Sequence, residues 1–224
     1  MTEGTSTLVG SDEAGKGPVL GPMVAAAVRA DVDALPDGID DSKRLSPARR
    51  EEIAATLRET GDVEIGVAFV EPERIDRPDT DMNALTVAAH VEALAAVARE
   101  GDEVVTDAGD VDASRFGRRV RTGVEEAGVA VSVTAEHRAD EAYPHVGAAS
   151  IVAKVERDAR MAAVGEAFAA YGPVGSGYPS DSTTREFLKT YVEETGELPD
   201  CARASWSTCD DVLTAAAQSS LAEF

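Results

Sequence analysis

The chain has 224 residues, with 42 acidic side chains against 21 basic ones and a formal charge of −21 at neutral pH. That length accommodates one substantial domain with a buried core and an appendage, but not two domains of full size. So negative a balance excludes a generally basic nucleic-acid-binding surface, since neutralising phosphates is the main source of such affinity. No apolar run reaches the length of a bilayer span, and no charged start leads into an apolar secretion segment, so a cytoplasmic protein with no membrane partner is expected. Cys201 and Cys209 are the only cysteines, and they form neither a C-x-x-C pair nor a zinc-like spacing with histidine, as in a reduced compartment.

In chain order, residues 6–10 read as a first strand, 21–29 as its hairpin partner and 63–70 as a third strand. Ser46-Pro47 opens a helix through residue 60, with Ser46 as its cap. The alanine-rich stretch 81–100, with Leu85, Val91 and Leu94 in helical period, predicts the longest early helix. A short apolar strand over 103–107 ends in Asp107; a polar helix over 112–127 and a strand over 129–135 follow. Beyond it the chain turns helical over 143–171, 183–194 and 205–221, with no internal repeat or long low-complexity linker. Strands alternating with helices predict an α/β fold.

The chemistry starts at Gly10-Ser11-Asp12-Glu13-Ala14-Gly15-Lys16-Gly17. This nearly matches the nucleotide-binding pattern G-x-x-x-x-G-K-[ST], but Gly17 stands where a hydroxyl must reach magnesium, and Asp12 and Glu13 would repel the phosphates the loop must wrap. By itself the segment is as well explained by a solvated acidic hairpin loop. Further acids at strand ends change that balance. Asp107 closes one strand and Asp140 follows another, and sites in open sheets form outside the carboxyl ends of strands. Four converging carboxylates cannot all stay ionised without cations between them. Two divalent ions about 4 Å apart would resolve the repulsion, and oxygen-only ligands select magnesium or manganese. Charge alone does not choose between Asp107 and its neighbours Asp110 and Asp112, or between Asp140 and Glu136 or Glu141. His137 and His145 flank Asp140 but are expected to be solvated or supporting groups rather than ligands.

Together the motifs resemble the type II ribonucleases H. The family pattern D-E-x-G-[RK]-G is met by Asp12 to Gly17, D-S-K by Asp41-Ser42-Lys43, and A-A-S-I-x-A-K-x-x-R-D by Ala148 to Asp158. G-S-G-Y-P-S-D runs from Gly175 to Asp181, and R-x-S-W-x-T from Arg203 to Thr208. The blocks keep family order from residue 9 to about 208. The resemblance implies a ribonuclease H-like fold: a five-stranded mixed sheet flanked by helices, with a catalytic domain over 1–182 and a C-terminal helical cap over 183–224. It implies hydrolysis of the RNA strand of RNA–DNA hybrids and cleavage 5′ of ribonucleotides embedded in duplex DNA, leaving 3′-hydroxyl and 5′-phosphate ends.

By the same resemblance, Asp12, Glu13, Asp107 and Asp140 hold two divalent cations, magnesium or manganese, with Asp12 bridging them. Gly15, Lys16 and Gly17 read the 2′-hydroxyl and phosphates, Tyr178 packs on a deoxyribose, and Lys43, Lys154 and Arg157 lie near phosphates. Lys16 stands where many relatives carry arginine, which keeps the charge but loses the planar fork. Relatives are usually monomers, and some engage the replication sliding clamp through a terminal motif, of which Gln218 to Phe224 is a faint echo.

The acidic surface then needs its own account. Lysine occurs only at 16, 43, 154 and 189, and three of these four lie inside the blocks above. Scattered acids with scarce lysine resemble proteins of a very salty cytoplasm, where repulsion between carboxylates is screened at short range. Two rivals remain: a nuclease of the same architecture acting on DNA alone, which gives no reason for the Gly15-Lys16-Gly17 turn, and a non-catalytic acidic module that binds ions without turnover.

Overall fold

The computed structural model describes residues 7–39 and 45–222 of the chain. Its sheet has five strands in the order β3-β2-β1-β4-β5, formed by β1 Thr7–Ala14, β2 Met23–Asp31, β3 Glu64–Val70, β4 Glu103–Asp107 and β5 Ser132–Glu136. β1 is antiparallel to β2, whereas β4 is parallel to both β1 and β5, so the sheet is mixed, as expected. The helices are α1 Pro47–Glu59, α2 Pro72–Ile75, α3 Met82–Ala95, α4 Ala113–Glu126, α5 Ala139–Ala142, α6 Pro144–Ala167, α7 Ser182–Thr195 and α8 Ser207–Ala222. Ser46 caps α1 by accepting from the Arg49 amide, with Pro47 in the first turn.

One boundary differs in a way that matters for the site. β1 continues past Gly10 to Ala14, because the apolar run opposite it in β2 offers partners the whole way: Asp12 pairs with Ala26 and Glu13 with Ala25. The two acids therefore sit in a hydrogen-bonded strand rather than in a loop. A second helix boundary is also shorter than the periodicity suggests: α3 stops at Ala95, where a turn replaces the expected continuation to 100.

The chain divides into two compact units. Among the described residues the first comprises 7–14, 24–69 and 82–156, and the second 15–23, 70–81 and 157–222. The expected cut between 182 and 183 falls inside the second unit.

In the first unit, small residues let helices approach the sheet closely. Ala148, Ala149, Ile151, Val152 and Ala153 of α6 pack with Ala26 and Val28 of β2 and with Ile53, Ala54 and Leu57 of α1. Burying each of the larger aliphatic side chains contributes about 1.5–3 kcal/mol. α3 and α4 cover the other face, and there His90 meets the edge of Phe116 with ring centroids 5.2 Å apart. In the second unit, Val19, Leu20, Met161, Val174, Phe187 and Leu188 form the core together with Cys201 and Cys209. Both cysteines are free and buried, and burial pushes their thiols up, to about 12 and about 11.

Gly10 sets the distance between β1 and α6. A β-carbon there would lie 2.2 Å from the carbonyl carbon of His145 and 2.3 Å from the Val146 nitrogen, both rigid backbone atoms. Gly10→Ala is therefore expected to destabilise the fold by at least about 2 kcal/mol, measured by denaturant titration at fixed molar KCl. Gly61→Ala, where a β-carbon meets nothing within 4 Å, should change stability by less than about 0.5 kcal/mol.

Candidate active site

Alternation along β1 sends neighbouring side chains to opposite faces of the sheet. Gly10 and Asp12 face α6, where the Asp12 carboxyl is hydrogen-bonded to the Ser150 side chain. Ser11 and Glu13 face α3, where both bond His90. Asp12 is only 5 % exposed. Burial, followed by the charge of Glu13, raises its pKa well above the usual carboxylate range, and Asp107 pushes the same way. Against these act the Ser150 hydrogen bond and the charge of Lys154, whose Nζ donates to Ser150 Oγ one helical turn away.

Strand register brings in the next acid. Ser11 of β1 lies opposite Thr106 of the parallel β4, so Asp12 and Asp107 follow at the same level on adjacent strands. Asp107 Oδ1 accepts from the Ala139 amide at 2.8 Å, one residue before the buried Asp140 in α5. Among the described residues, no three His, Cys, Asp or Glu side chains are grouped closely enough to hold a metal ion. Glu13 is directed to His90, and one oxygen of Asp107 to the Ala139 amide. The donor chemistry nevertheless suits a hard divalent cation, with carboxylate oxygens on offer and a buried Asp12 destabilised by two like charges. Asp12, Glu13, Asp107 and Asp140 are the residues that could hold such ions.

The neighbouring acids are otherwise engaged. Asp110 is clamped by the Arg115 guanidinium, with contacts of 2.7 and 2.8 Å, which holds its carboxyl below the usual range. Asp112 caps α4 through the Arg115 amide. Glu136 accepts from the Tyr143 hydroxyl, and Glu141 pairs with Arg138. His145 bonds the Ala30 carbonyl from a buried position that lowers its pKa, which is a structural role.

In the second unit, the Gly15-Lys16-Gly17 turn is shaped from beneath by arginine. Arg203 is fully buried and donates to three carbonyls: Gly15 at 2.6 Å, Gly21 at 2.9 Å and Lys16 at 3.0 Å. These three hydrogen bonds draw the carbonyls inward and fix the turn. Burial and the charge of Arg157 lower the Arg203 pKa to about 10, which leaves the group charged at neutral pH. Gly15 is required twice over: its φ is +84°, and a β-carbon would lie 2.5 Å from Arg157 Cδ and Nε. The Arg157 guanidinium sits 5.5 Å from the centroid of the Tyr178 ring, which is 42 % exposed. Beside Tyr178, Asp181 accepts from the Ser176 amide and hydroxyl and from the Thr183 amide, which holds its carboxyl at about 2. The Gly177 carbonyl accepts from the Val19 and Leu20 amides, tying this turn to the segment after Gly17.

Comparison with known proteins gives this geometry a family. A profile of ribonuclease HII matches residues 9–209. The ribonuclease HII of Haloarcula marismortui is 60 % identical over 215 residues, covering 96 % of this chain and 99 % of that protein. The chain belongs to the ribonuclease HII family. The crystal structure of ribonuclease H2 from Pyrococcus horikoshii superposes with a TM-score of 0.85 at 35 % identity, covering 95 % of this chain and 99 % of that one. Ribonuclease HII of Archaeoglobus fulgidus, solved in complex with PCNA, gives 0.79 at 39 % identity over 89 % and 95 % of the two chains. Membership makes this protein a nuclease acting on the RNA strand of RNA–DNA hybrids.

Against the ribonuclease HII motifs, the sequence-derived residues fall into three groups. Asp12, Glu13, Asp107, Asp140 and Lys154 lie in the first unit, with Lys154 directed to Ser150 beside Asp12. Gly15, Lys16, Gly17, Arg157 and Tyr178 lie in the second. Lys43 lies outside the described residues. Sequence reasoning passed over three groups: Ser150, Arg203 and His90. The first two lie inside family blocks, Ser150 four residues before Lys154 on one helix face. His90 is a lone histidine in an alanine-rich helix and carries no local signal.

Arg203→Met leaves three carbonyls without their donor and is expected to destabilise the protein by about 3 kcal/mol or more, read from denaturant titration. Asp181 contributes stability above its unfolded pKa that is lost as pH falls from about 3.8 towards 2, because its folded value is the lower one. The melting temperatures of wild type and Asp181→Asn should accordingly differ at neutral pH and converge at the acid end.

Proposed function

We propose that this ribonuclease HII cuts hybrids and also incises duplex DNA on the 5′ side of an embedded ribonucleotide, leaving 3′-hydroxyl and 5′-phosphate ends, with two divalent cations, magnesium or manganese. The observation that carries the metal reading is Asp12, a buried carboxyl whose neighbours Glu13 and Asp107 both oppose its ionisation. Such a cluster is costly unless cations neutralise it. We assign Asp12, Glu13, Asp107 and Asp140 as the ligands. When bound, the ions supply Lewis-acid stabilisation of phosphoryl oxygens and activation of a water.

The chain's own groups do the rest. Ser150 and Lys154 temper the charge on Asp12 and limit its protonation. In the Gly15-Lys16-Gly17 turn, Arg203 engages the carbonyls, which favours presentation of the amides to phosphate oxygens and to the 2′-hydroxyl that distinguishes RNA from DNA. Tyr178 offers an exposed ring for a sugar, and Lys43 and Lys154 complete the proposed substrate contacts. The enzyme is taken to act in the cytoplasm as a monomer; among the described residues no helix is long and apolar enough to cross a membrane. The Archaeoglobus relative's complex with PCNA extends the proposal to a sliding-clamp partner. The side chains of 219–224, most of the terminal echo, lie outside the description.

The test is a cleavage assay with hybrid, single-ribonucleotide and all-DNA duplexes in molar KCl. The first two are expected to be cut and the third left intact. Chelation should abolish cleavage, and magnesium or manganese should restore it. Asp12→Asn should lower the rate at least about a thousandfold, on the order of 4 kcal/mol of transition-state stabilisation. Retention of single-ribonucleotide cleavage by that variant would refute the assignment.

A further inference from the structure

His90 is buried on α3 with its side chain fully inaccessible, yet both ring nitrogens are engaged. Nε2 lies 2.9 Å from Glu13 Oε2, while Nδ1 lies 2.9 Å from Ser11 Oγ and 3.0 Å from Thr106 Oγ1. A carboxylate can only accept, so Nε2 carries a proton and donates to Glu13. Nδ1 therefore accepts a hydroxyl proton from Ser11 or from Thr106, both within hydrogen-bonding distance, and Thr106 Oγ1 can otherwise donate to the Asp107 carbonyl at 3.1 Å. One imidazole thus touches β1 directly before Asp12, β1 directly after it, and β4 directly before Asp107. The ring is held in place by the edge contact with Phe116.

The other carboxylate oxygen is equally informative. Glu13 Oε1 has no hydrogen-bond donor among the described residues, and it looks towards Gly109, where a β-carbon would come within 3.0 Å of it. The side chain is therefore anchored through one oxygen, while the absence of a side chain at 109 keeps space at the other.

We propose that His90 is a positioning residue for Glu13: it fixes the carboxylate through Oε2, leaves Oε1 for a divalent cation, and locks the ends of β1 and β4 at one level. This rests on the reading of Glu13 as a metal ligand. A hydrogen-bond partner behind a ligand orients it, and removing such a partner typically costs 10–100-fold in metal affinity.

The experiment titrates manganese into chelator-stripped full-length protein in molar KCl, with free ion read by electron paramagnetic resonance, alongside steady-state cleavage of a hybrid and thermal melts. His90→Leu is expected to weaken manganese binding about tenfold and to lower kcat while leaving KM within about twofold. His90→Gln, whose amide can still donate to Glu13, should recover most of both losses. In a Glu13→Ala background, His90→Leu should change manganese affinity no further. Wild-type manganese affinity in a folded His90→Leu protein overturns the proposal, as does an equal loss in the Leu and Gln variants that tracks a lowered melting temperature. Asp12→Asn separates the two levels of the argument. If it abolishes binding while His90→Leu binds manganese like wild type, only the positioning role falls; if it binds manganese like wild type itself, the metal reading falls and takes the positioning role with it.

Discussion

A buried carboxyl whose ionisation two neighbouring acids oppose is the constraint around which the first unit is organised. Asp12 is held in a strand rather than a loop, so it cannot swing into water to escape Glu13 and Asp107. β2 pairs with its backbone, β4 pairs with β1 up to the preceding Ser11, and Gly10 brings α6 close enough for Ser150 and Lys154 to reach it. Burial and two like charges disfavour its ionised form, and the surrounding packing over-determines its position.

Of the 42 carboxylates, several near Asp107 and Asp140 are engaged by local partners. Asp110 is neutralised by Arg115, Asp112 is consumed by a helix cap, and Glu136 and Glu141 are turned to Tyr143 and Arg138. Each of these alternatives has a local partner that satisfies it. Asp107 instead points its Oδ1 to the amide preceding Asp140. In the second unit buried cations take the same place: Arg203 and Arg157 are buried with carbonyls and an aromatic ring against each of them.

The overall charge of −21 argues against a phosphate-binding enzyme only if charge is treated as an average. Haloarchaeal ribonucleases HII share about 60 % identity with this chain, and at molar salt the Debye length falls to about 3 Å, so distant carboxylates contribute little. What matters under such screening is contact geometry, such as an arginine donating to three carbonyls at hydrogen-bonding distance.

The sequence by itself determined an α/β succession of elements and the short segments that carry chemistry, because these are written in local patterns: strand and helix periods, a proline and serine at a helix start, and motif blocks in fixed order; the mixed five-stranded sheet followed from the family resemblance those blocks carry. It also named Asp107 and Asp140 only with help from resemblance, since spacing and charge could not separate them from Asp110, Asp112, Glu136 and Glu141. Tertiary structure added that Asp110, Asp112, Glu136 and Glu141 have partners of their own. It likewise decided that Asp12 and Glu13, adjacent in sequence, face opposite sides of a strand, and that a solitary histidine 77 residues away bonds one of them. Such relations depend on strand register and helix docking, which are set by packing among distant segments, and no local stretch of sequence contains them.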